Sequence, residues 1–354
     1  ALNGVGKPPK SVSEVLKDVS IKDDLLVSQQ AGGRDHGIDL LKSFLNERCE
    51  TYRSGMSSPL TGELVCSRLS AHFSVGTVSL REAWQQTLER RDELKEETGR
   101  SRALRSLKSF QSRLHWHCHF IQKLESESRL EFEELHRGFI GLRALSLDLE
   151  AERFERFQKG SLGWPFVDAC LRCLAATGWL NFRMRAMLVS IASYHLWIDW
   201  RKTGAQMARW FTDFEAGIHW SQIQMQSGTT GINANRMYSP VKQSEDQDPN
   251  GSFIKRWIPE LSQVPTEWIH QPWRMPLSLQ HQVGCRIGSD YPEPIGDPQQ
   301  LAREARSRLK MWIESHDLKP EAQRVLKAHG SRLRQSRPRY GKKSASGQMA
   351  LDLE

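Results

Sequence analysis

The sequence predicts an all-α fold, and three observations carry that prediction. Apolar residues recur at helical spacing, as Ile38, Leu41, Phe44 and Leu45 do in one stretch. Runs of alternating β-branched residues, the mark of strands, are almost absent. Helix punctuation is clear in mid-chain, where Pro165 stands at a first-turn position and Gly178 follows the last turn.

Taken in order, residues 1–30 read as a polar arm with one short amphipathic stretch (Val15, Leu16, Val19, Ile21). A helical run covers 37–53, and 78–97 and 104–124 continue in the same register. Pro165 and Gly178 bracket a helix over 166–177, and further helices are expected over 180–197 and 205–215. A loop rich in Ser, Gly, Thr and Asn follows over 226–235. Residues 251–257 and 302–314 read as helical again, whereas 262–297 is proline-rich and is expected to be irregular. No repeat of 20–50 residues is visible. The expectation is one helical domain over 31–330, between a polar N-terminal arm over 1–30 and a basic disordered tail over 331–354.

Composition bounds the function. The 354 residues hold 50 Lys+Arg against 42 Asp+Glu, a net charge of +8, and 38% are hydrophobic, enough for a real core. The longest charge-free apolar run, from Ala186 to Ile198, falls short of the ~20 residues of a membrane helix. No signal-peptide pattern precedes Lys7-Pro8-Pro9-Lys10, and six scattered cysteines make no disulfide framework. A reducing, cytoplasmic setting (nucleoid-associated in a bacterium) is therefore expected, and a secreted or membrane-spanning protein is excluded.

The positive charge is concentrated. Residues 301–354 hold 13 Lys+Arg and 6 Asp+Glu, and six basic residues (Arg332, Arg334, Arg337, Arg339, Lys342, Lys343) cluster without an acid. Such a cluster neutralises phosphates, so a polynucleotide partner is expected; the plainer reading is a solvated tail. Tryptophan is also unusual, at 12 against 13 Phe and 5 Tyr, as suits sites that stack on flat rings.

Several motifs fail. Gly4-Val5-Gly6-Lys7 runs into prolines and opens no helix, so it is no P-loop. Asp246, Asp248 and Asn250-Gly251 imitate half of a calcium loop, whose twelfth position is Trp257 instead of Glu. Cys170 and Cys173 lie inside the helix after Pro165 without a second pair, and read as packed side chains. His115 and His119 are four apart but have no second ligand pair, so no metal is assigned.

The most informative stretch begins at Gly163-Trp164-Pro165-Phe166-Val167-Asp168. Thr177-Gly178-Trp179-Leu180-Asn181-Phe182-Arg183-Met184-Arg185 follows, then Ile198-Asp199-Trp200-Arg201 and Arg236-Met237-Tyr238-Ser239-Pro240. It closes with Phe253-Ile254-Lys255-Arg256-Trp257-Ile258-Pro259-Glu260-Leu261. This order and spacing resemble the helical FAD-binding domain of the photolyase/cryptochrome family. Upstream, Ser67-Arg68-Leu69-Ser70 with Gly76 is similar to that family's phosphate-contacting segment, and 111–120 around Trp116 to its flavin helix. The resemblance covers about residues 33–275. Family members usually begin with an α/β antenna domain, and here only about thirty residues precede the flavin domain. The expectation is a short photolyase without the antenna domain.

The resemblance implies a site residue by residue. FAD is the implied cofactor, held by Tyr52, Ser67, Arg68, Leu69, Ser70, Phe110, His117, Arg185, Asp213, Glu215 and His219. Hydroxyls and backbone N–H groups of the Ser67 segment suit a diphosphate. Arg185 and Asp213 match a buried pair beside the isoalloxazine, where a cation stabilises an anionic reduced flavin; alone they would read as a structural ion pair. His219 matches the residue facing flavin N5, and a protonatable imidazole there is expected to tune the flavin. Trp116 matches the aromatic that stacks on an extruded pyrimidine dimer, with Met225 as the second wall. Arg113 replaces an acid that bonds the damaged base, and Phe182 replaces an Asn, with Asn181 one position earlier. Trp116, Arg113, Met225 and His219 form the implied catalytic group.

Arg183 and Arg236 match backbone-clamping arginines, and Lys255 and Arg256 lie on a nearby basic face, an implied DNA-binding set. Trp200 matches the middle tryptophan of an electron-transfer triad whose flavin-proximal position is Ile223, so a route through Trp220 or Tyr194 is expected. The implied function is a blue-light-driven DNA photolyase, with cyclobutane dimers favoured because the histidine pair of (6-4) photolyases is absent. The rivals are a cryptochrome-like photoreceptor and a flavin-containing DNA-binding protein without photochemistry. Implied partners are UV-damaged DNA and, through Gln348-Met349-Ala350-Leu351-Asp352-Leu353, the replication sliding clamp. A monomer is expected.

Overall fold

The computed structural model describes residues 30–97, 99, 101–143, 147–231 and 236–329. The arm over 1–29, the tail over 330–354 and the clamp-like peptide lie outside the described residues. The described residues are helical, with one isolated bridge between Ile287 and Tyr291 and no strand. No helix among them is long and apolar enough to cross a membrane.

The first lobe runs through α1 (Arg34–Ser43), α2 (Cys49–Gly55), α3 (Pro59–Val65), α4 (Ser70–Ser74), α5 (Leu80–Glu96) and α6 (Ser101–Ser126). Its core gathers Leu41, Phe44, Tyr52, Leu69, Leu94, Leu107 and Phe110, so the expected apolar stripe of 37–53 faces inward. A π-helical turn at Phe44–Arg48 joins α1 to α2. The Ser79 hydroxyl accepts from the Glu82 N–H at 3.1 Å and caps α5. The sequence reading places both long helices, α5 and α6, within a few residues of their ends.

The second lobe follows with α7 (Leu147–Lys159), α8 (Pro165–Thr177), α9 (Phe182–Ser190), α10 (Trp200–Trp210), α11 (Ala216–Ser227), α12 (Pro240–Gln247), α13 (Ser252–Trp257) and α14 (Leu277–Gln282). Trp164, Phe166, Leu174, Met184, Trp200 and Ile254 belong to its core. α8 is bounded as expected, by Pro165 at its start and Gly178 at φ 69° after its end. Asp168 anchors the start: its buried carboxylate accepts from the Leu162 and Gly163 N–H groups and from the Tyr291 hydroxyl. Cys170 and Cys173 are buried free thiols on α8, pushed up by burial. Asp248 is also buried and accepts from the Phe253 and Ile254 N–H groups, capping α13.

Three expectations need correction. The helix expected over 180–197 stops earlier: α9 passes into a π turn at Ile191–His195, and Trp197 takes the left-handed φ of 56°. The helix expected over 205–215 begins at Trp200, because Asp199 accepts from the Arg201 N–H and caps it there. The proline-rich 262–297 stretch is irregular except for 3-10 turns and the short α14. Helices α7, α11 and α12 were not anticipated, nor was α16 (Lys319–His329), which follows α15 (Pro298–Ser315). α15 closes a third cluster of Phe139, Leu142, Tyr194, Trp197 and Leu309.

Candidate cofactor and nucleic-acid site

The site lies where α6, the α8–α9 turn and α11 meet the segment entering α4. That segment, Ser67 to Ser70, turns at Arg68, one of two non-glycine residues with positive φ among those described (62°). Leu69 returns to right-handed geometry at φ -87° and is fully buried. A left-handed residue followed by a right-handed one turns successive N–H groups to one side, the backbone arrangement that cradles anions. Gln30 holds the turn: its amide donates to the Arg68 carbonyl at 2.8 Å, and Arg68 Nε donates to Gln30 Oε1 at 3.2 Å. The Arg68 guanidinium lies 3.9 Å over the Trp179 ring.

Arg48 supports the segment from behind. It donates to the Leu40 carbonyl at 2.7 Å, the Ser67 carbonyl at 3.3 Å and the Cys66 carbonyl. Burial lowers its pKa, and its printed partners are carbonyls and the Ser43 hydroxyl. Neither Arg48 nor Gln30 was singled out in the sequence. The only signal was one of composition, a basic residue and an amide without an assigned partner.

Arg185 and Asp213 form the implied pair, with two parallel hydrogen bonds of 2.9 Å. Burial alone would raise the Asp213 pKa, but the charge and hydrogen bonds of Arg185, joined by the Ser70 hydroxyl, hold it below the usual carboxylate value. The guanidinium also lies 4.2 Å over Phe211, and its Nε donates to the Leu180 carbonyl at 2.6 Å. Phe44, Tyr52 and Phe110 pack edge-on as an aromatic floor, with Tyr52 to Phe110 at 6.4 Å. Arg113 donates to the Tyr52 hydroxyl, whose pKa burial pushes up to about 12.

On the α6–α11 side, His117 Nε2 lies 2.6 Å from Glu215. His219 Nε2 pairs with the Gly204 carbonyl at 2.9 Å, and the ring packs against Phe214 at 5.2 Å and Trp220 at 4.8 Å. Burial pushes the His219 pKa down to about 4, so the imidazole is neutral at neutral pH, against the expectation of a residue that titrates there. Gly204 is required: a Cβ there would sit 2.5 Å from the Trp220 ring. Trp220 meets Trp200 at 6.0 Å, and Trp200 Nε1 donates to Glu134 at 3.3 Å. Ile223 is buried nearby in the same core, whereas Tyr194 belongs to the third cluster, under Arg143.

The rim is less tied down. Trp116 meets His119 edge-on at 5.3 Å and tilts over Phe120 at 5.6 Å. Met225 stands on α11, which packs so closely on α6 that a Cβ at Gly217 would reach 2.8 Å from the Phe120 carbonyl. Phe182 is 44% exposed, with Arg113 5.8 Å over its ring. Asn181 is buried and donates to the Met56 and Ser57 carbonyls, so its amide is not available to replace the Asn absent at 182. Arg183 is half-buried, the Arg236 carbonyl accepts from the Ser190 hydroxyl at 2.7 Å, and Arg256 is exposed 3.8 Å from Glu63. Lys255 lies beside Arg256 on the last turn of α13.

Comparison with known proteins bears on this geometry. The profile of the FAD binding domain of DNA photolyase matches residues 110–311, more than half of the chain. A deoxyribodipyrimidine photo-lyase of Alkalihalophilus pseudofirmus is 30% identical over 308 residues, covering 86% of this chain and 61% of the relative. Cryptochrome-2 of Arabidopsis thaliana is 36% identical over 176 residues, 48% of this chain and 28% of the relative. The crystal structure of a Synechocystis cryptochrome superposes with a TM-score of 0.71 at 26% identity, covering 80% of this chain and 57% of that one. The chain spans about three-fifths of the length of the curated photolyases it matches. It belongs to the photolyase/cryptochrome family through its FAD-binding domain, and FAD is the cofactor of that domain. The residues fit the group: an anion-cradling turn flanked by guanidinium groups, and buried Arg113 Nε and His117 Nδ1 atoms without a partner among the described residues.

Proposed function

We propose that the protein is a blue-light-driven DNA photolyase that splits cyclobutane pyrimidine dimers in UV-damaged DNA. The observation that carries this reading is the order of side chains along α6. Phe110 joins the aromatic floor, His117 pairs with Glu215, and Trp116 stands between them in sequence, on the rim. One rigid helix thus sets the distance between cofactor and extruded base. FAD in its reduced form supplies one electron to the dimer under blue light and recovers it after the ring opens.

The chain does the rest. Trp116 and Met225 wall the extruded dimer, and Phe182 and Phe214 exclude water from the mouth. Arg183, Arg236, Lys255 and Arg256 take the strand's phosphates. A damaged pair flips out at lower cost than an intact one, so a stacking pocket rimmed by cations gains selectivity. His219 stays neutral and anchored on Gly204, and moves no proton at neutral pH. Trp220 and Trp200 replace the usual relay past Ile223, and Trp220→Phe should slow flavin photoreduction. The six cysteines are free thiols, which supports a monomeric cytoplasmic protein. The peptide over 348–353 is the proposed sliding-clamp ligand; deleting 348–354 should abolish clamp affinity.

The test of the main reading is dimer content in UV-irradiated oligo(dT) after blue light with pre-reduced protein, against a dark control. Loss of dimers in the light alone supports repair. Retention of dimers with reduced flavin bound would retire it. A second reading, a cryptochrome-like photoreceptor, is favoured by the buried Ile223 at the relay position; it requires a light-driven flavin spectral change without dimer loss.

A further inference from the structure

Arg48, Arg68, Arg113 and Arg185 converge on the Cys66–Ser67 corner, all four near enough to bear on the Cys66 thiol. Only Arg185 ends on a buried carboxylate, Asp213, and that carboxylate is taken up by both of its nitrogens. Arg48 is held by carbonyls and a hydroxyl, and Arg68 by Gln30 and the Trp179 ring. Arg113 has the neutral Tyr52 hydroxyl, the edge of Phe182, and a buried Nε with no partner among the described residues. Nearby Glu215 is engaged with His117, and Glu63 is exposed beside Arg256. A corner with more buried cation than anion is complete only with an anion of more than one charge.

The direction of Arg113 matters. Helical side chains lean toward the helix N-terminus, so from α6 Arg113 leans away from Trp116, which is one turn further on. It ends on Tyr52, in the floor beside the phosphate segment. We infer that Arg113 is a ligand of the cofactor's diphosphate, completing the anion site of the Ser67–Ser70 turn, and not a reader of the damaged base. The assignment rests on the flavin-site reading above and changes the role that family resemblance gives this position. It also explains how a cation is tolerated where relatives carry an acid: the charge is spent on the cofactor, behind the mouth.

The test uses the full chain freed of flavin, with ADP as a ligand that has the diphosphate but no isoalloxazine, and riboflavin as the converse. Binding is measured by calorimetry at low and high salt. A charged hydrogen bond lost to an anion corresponds to about a 10- to 100-fold loss of affinity. Arg113→Gln should weaken ADP and FAD by that factor and flatten the salt dependence, leaving riboflavin unchanged, while Arg113→Lys recovers part of the loss. Affinity for UV-irradiated oligo(dT) should not change. ADP binding unaffected by Arg113→Gln, with weakened oligonucleotide binding, would overturn the assignment and return Arg113 to the lesion. If the unmodified chain retains neither FAD nor ADP, the flavin-site reading falls with it. Circular dichroism of both variants guards against misfolding, and the lysine variant keeps the charge if the glutamine variant does not fold.

Discussion

The inner wall and the rim of the site differ in where their polar atoms end. On the inner wall Arg185 closes on Asp213, Arg48 on three carbonyls, and Gln30 clamps Arg68. On the rim Phe182 and Phe214 are open to solvent, and Arg183 keeps a buried Nε without a partner among the described residues. A cofactor that stays can be met by a wall fixed in advance, and that fixing lowers the ordering cost of binding. A strand that comes and goes needs side chains that wait for it. Substitutions on the wall should therefore act through stability, and those on the rim through affinity for DNA.

The largest effect is expected at Asp213. Removing one partner of a buried ion pair leaves the other charge uncompensated, at about 3–5 kcal/mol. Asp213→Asn should approach the lower figure, because Arg185 keeps some solvent contact. Loss of FAD and a lower urea midpoint would be the readouts. The folded carboxyl lies below its unfolded value, so its stabilisation is complete above pH ~4 and fades as pH falls through the folded pKa. The gap between wild type and variant should close only in strong acid. A gap that closed near pH 6 would mean that the pair is not what Asp213 contributes.

His219 comes next. Its folded pKa of about 4 lies below the unfolded ~6.5, so the unfolded chain binds the proton first. Stability is complete above pH 6.5 and declines toward pH 4, by about 3 kcal/mol from this one group. His195 is also held near 4 by burial and adds its own slope, so the difference between wild type and His219→Asn isolates the site. Unfolding curves at pH 7, 5.5 and 4 should converge for the two proteins as pH falls. Parallel curves would show that His219 does not stay neutral in the folded state.

Gly204→Ala tests the same wall sterically. The added methyl meets the Trp220 ring at 2.5 Å, and overpacking of this kind costs about 1–3 kcal/mol. It should also quench the Trp220 to Trp200 contact, seen as a change in tryptophan emission.

What the sequence revealed follows the same division. α8 was legible because its punctuation is local: Pro165 fixes the first turn and Gly178 the last. The Arg185–Asp213 pair was legible only through motif order, since 28 residues separate the partners and no periodicity links them. α11 was missed because it is polar and apolar all round, with Gln222, Gln224 and Gln226 interleaved among core residues. Gln224 is fully buried and donates to the Leu130 and Glu133 carbonyls, a use of a glutamine that no pattern reports. His219 was placed correctly in sequence but read as titrating, because burial by Phe211, Phe214 and Trp220 is a tertiary fact.

The smallest stability effect is expected on the rim, and there the comparison is sharpest. Phe182 is 44% exposed, so truncation to alanine forfeits little buried surface and should shift stability by about 0.5 kcal/mol or less. Its ring nevertheless supports the Arg113 guanidinium and stands beside Arg183, where the strand is proposed to pass. Phe182→Ala should leave the unfolding midpoint and FAD retention nearly unchanged while weakening binding of UV-irradiated oligo(dT) several-fold, since one stacking contact to a base is worth about 1–3 kcal/mol. Fluorescence anisotropy at fixed salt reads that loss directly. An equal loss of stability and DNA affinity would mean that the rim is built like the wall, and the division between a prepaid cofactor side and a waiting substrate side would fail at the residue chosen to display it.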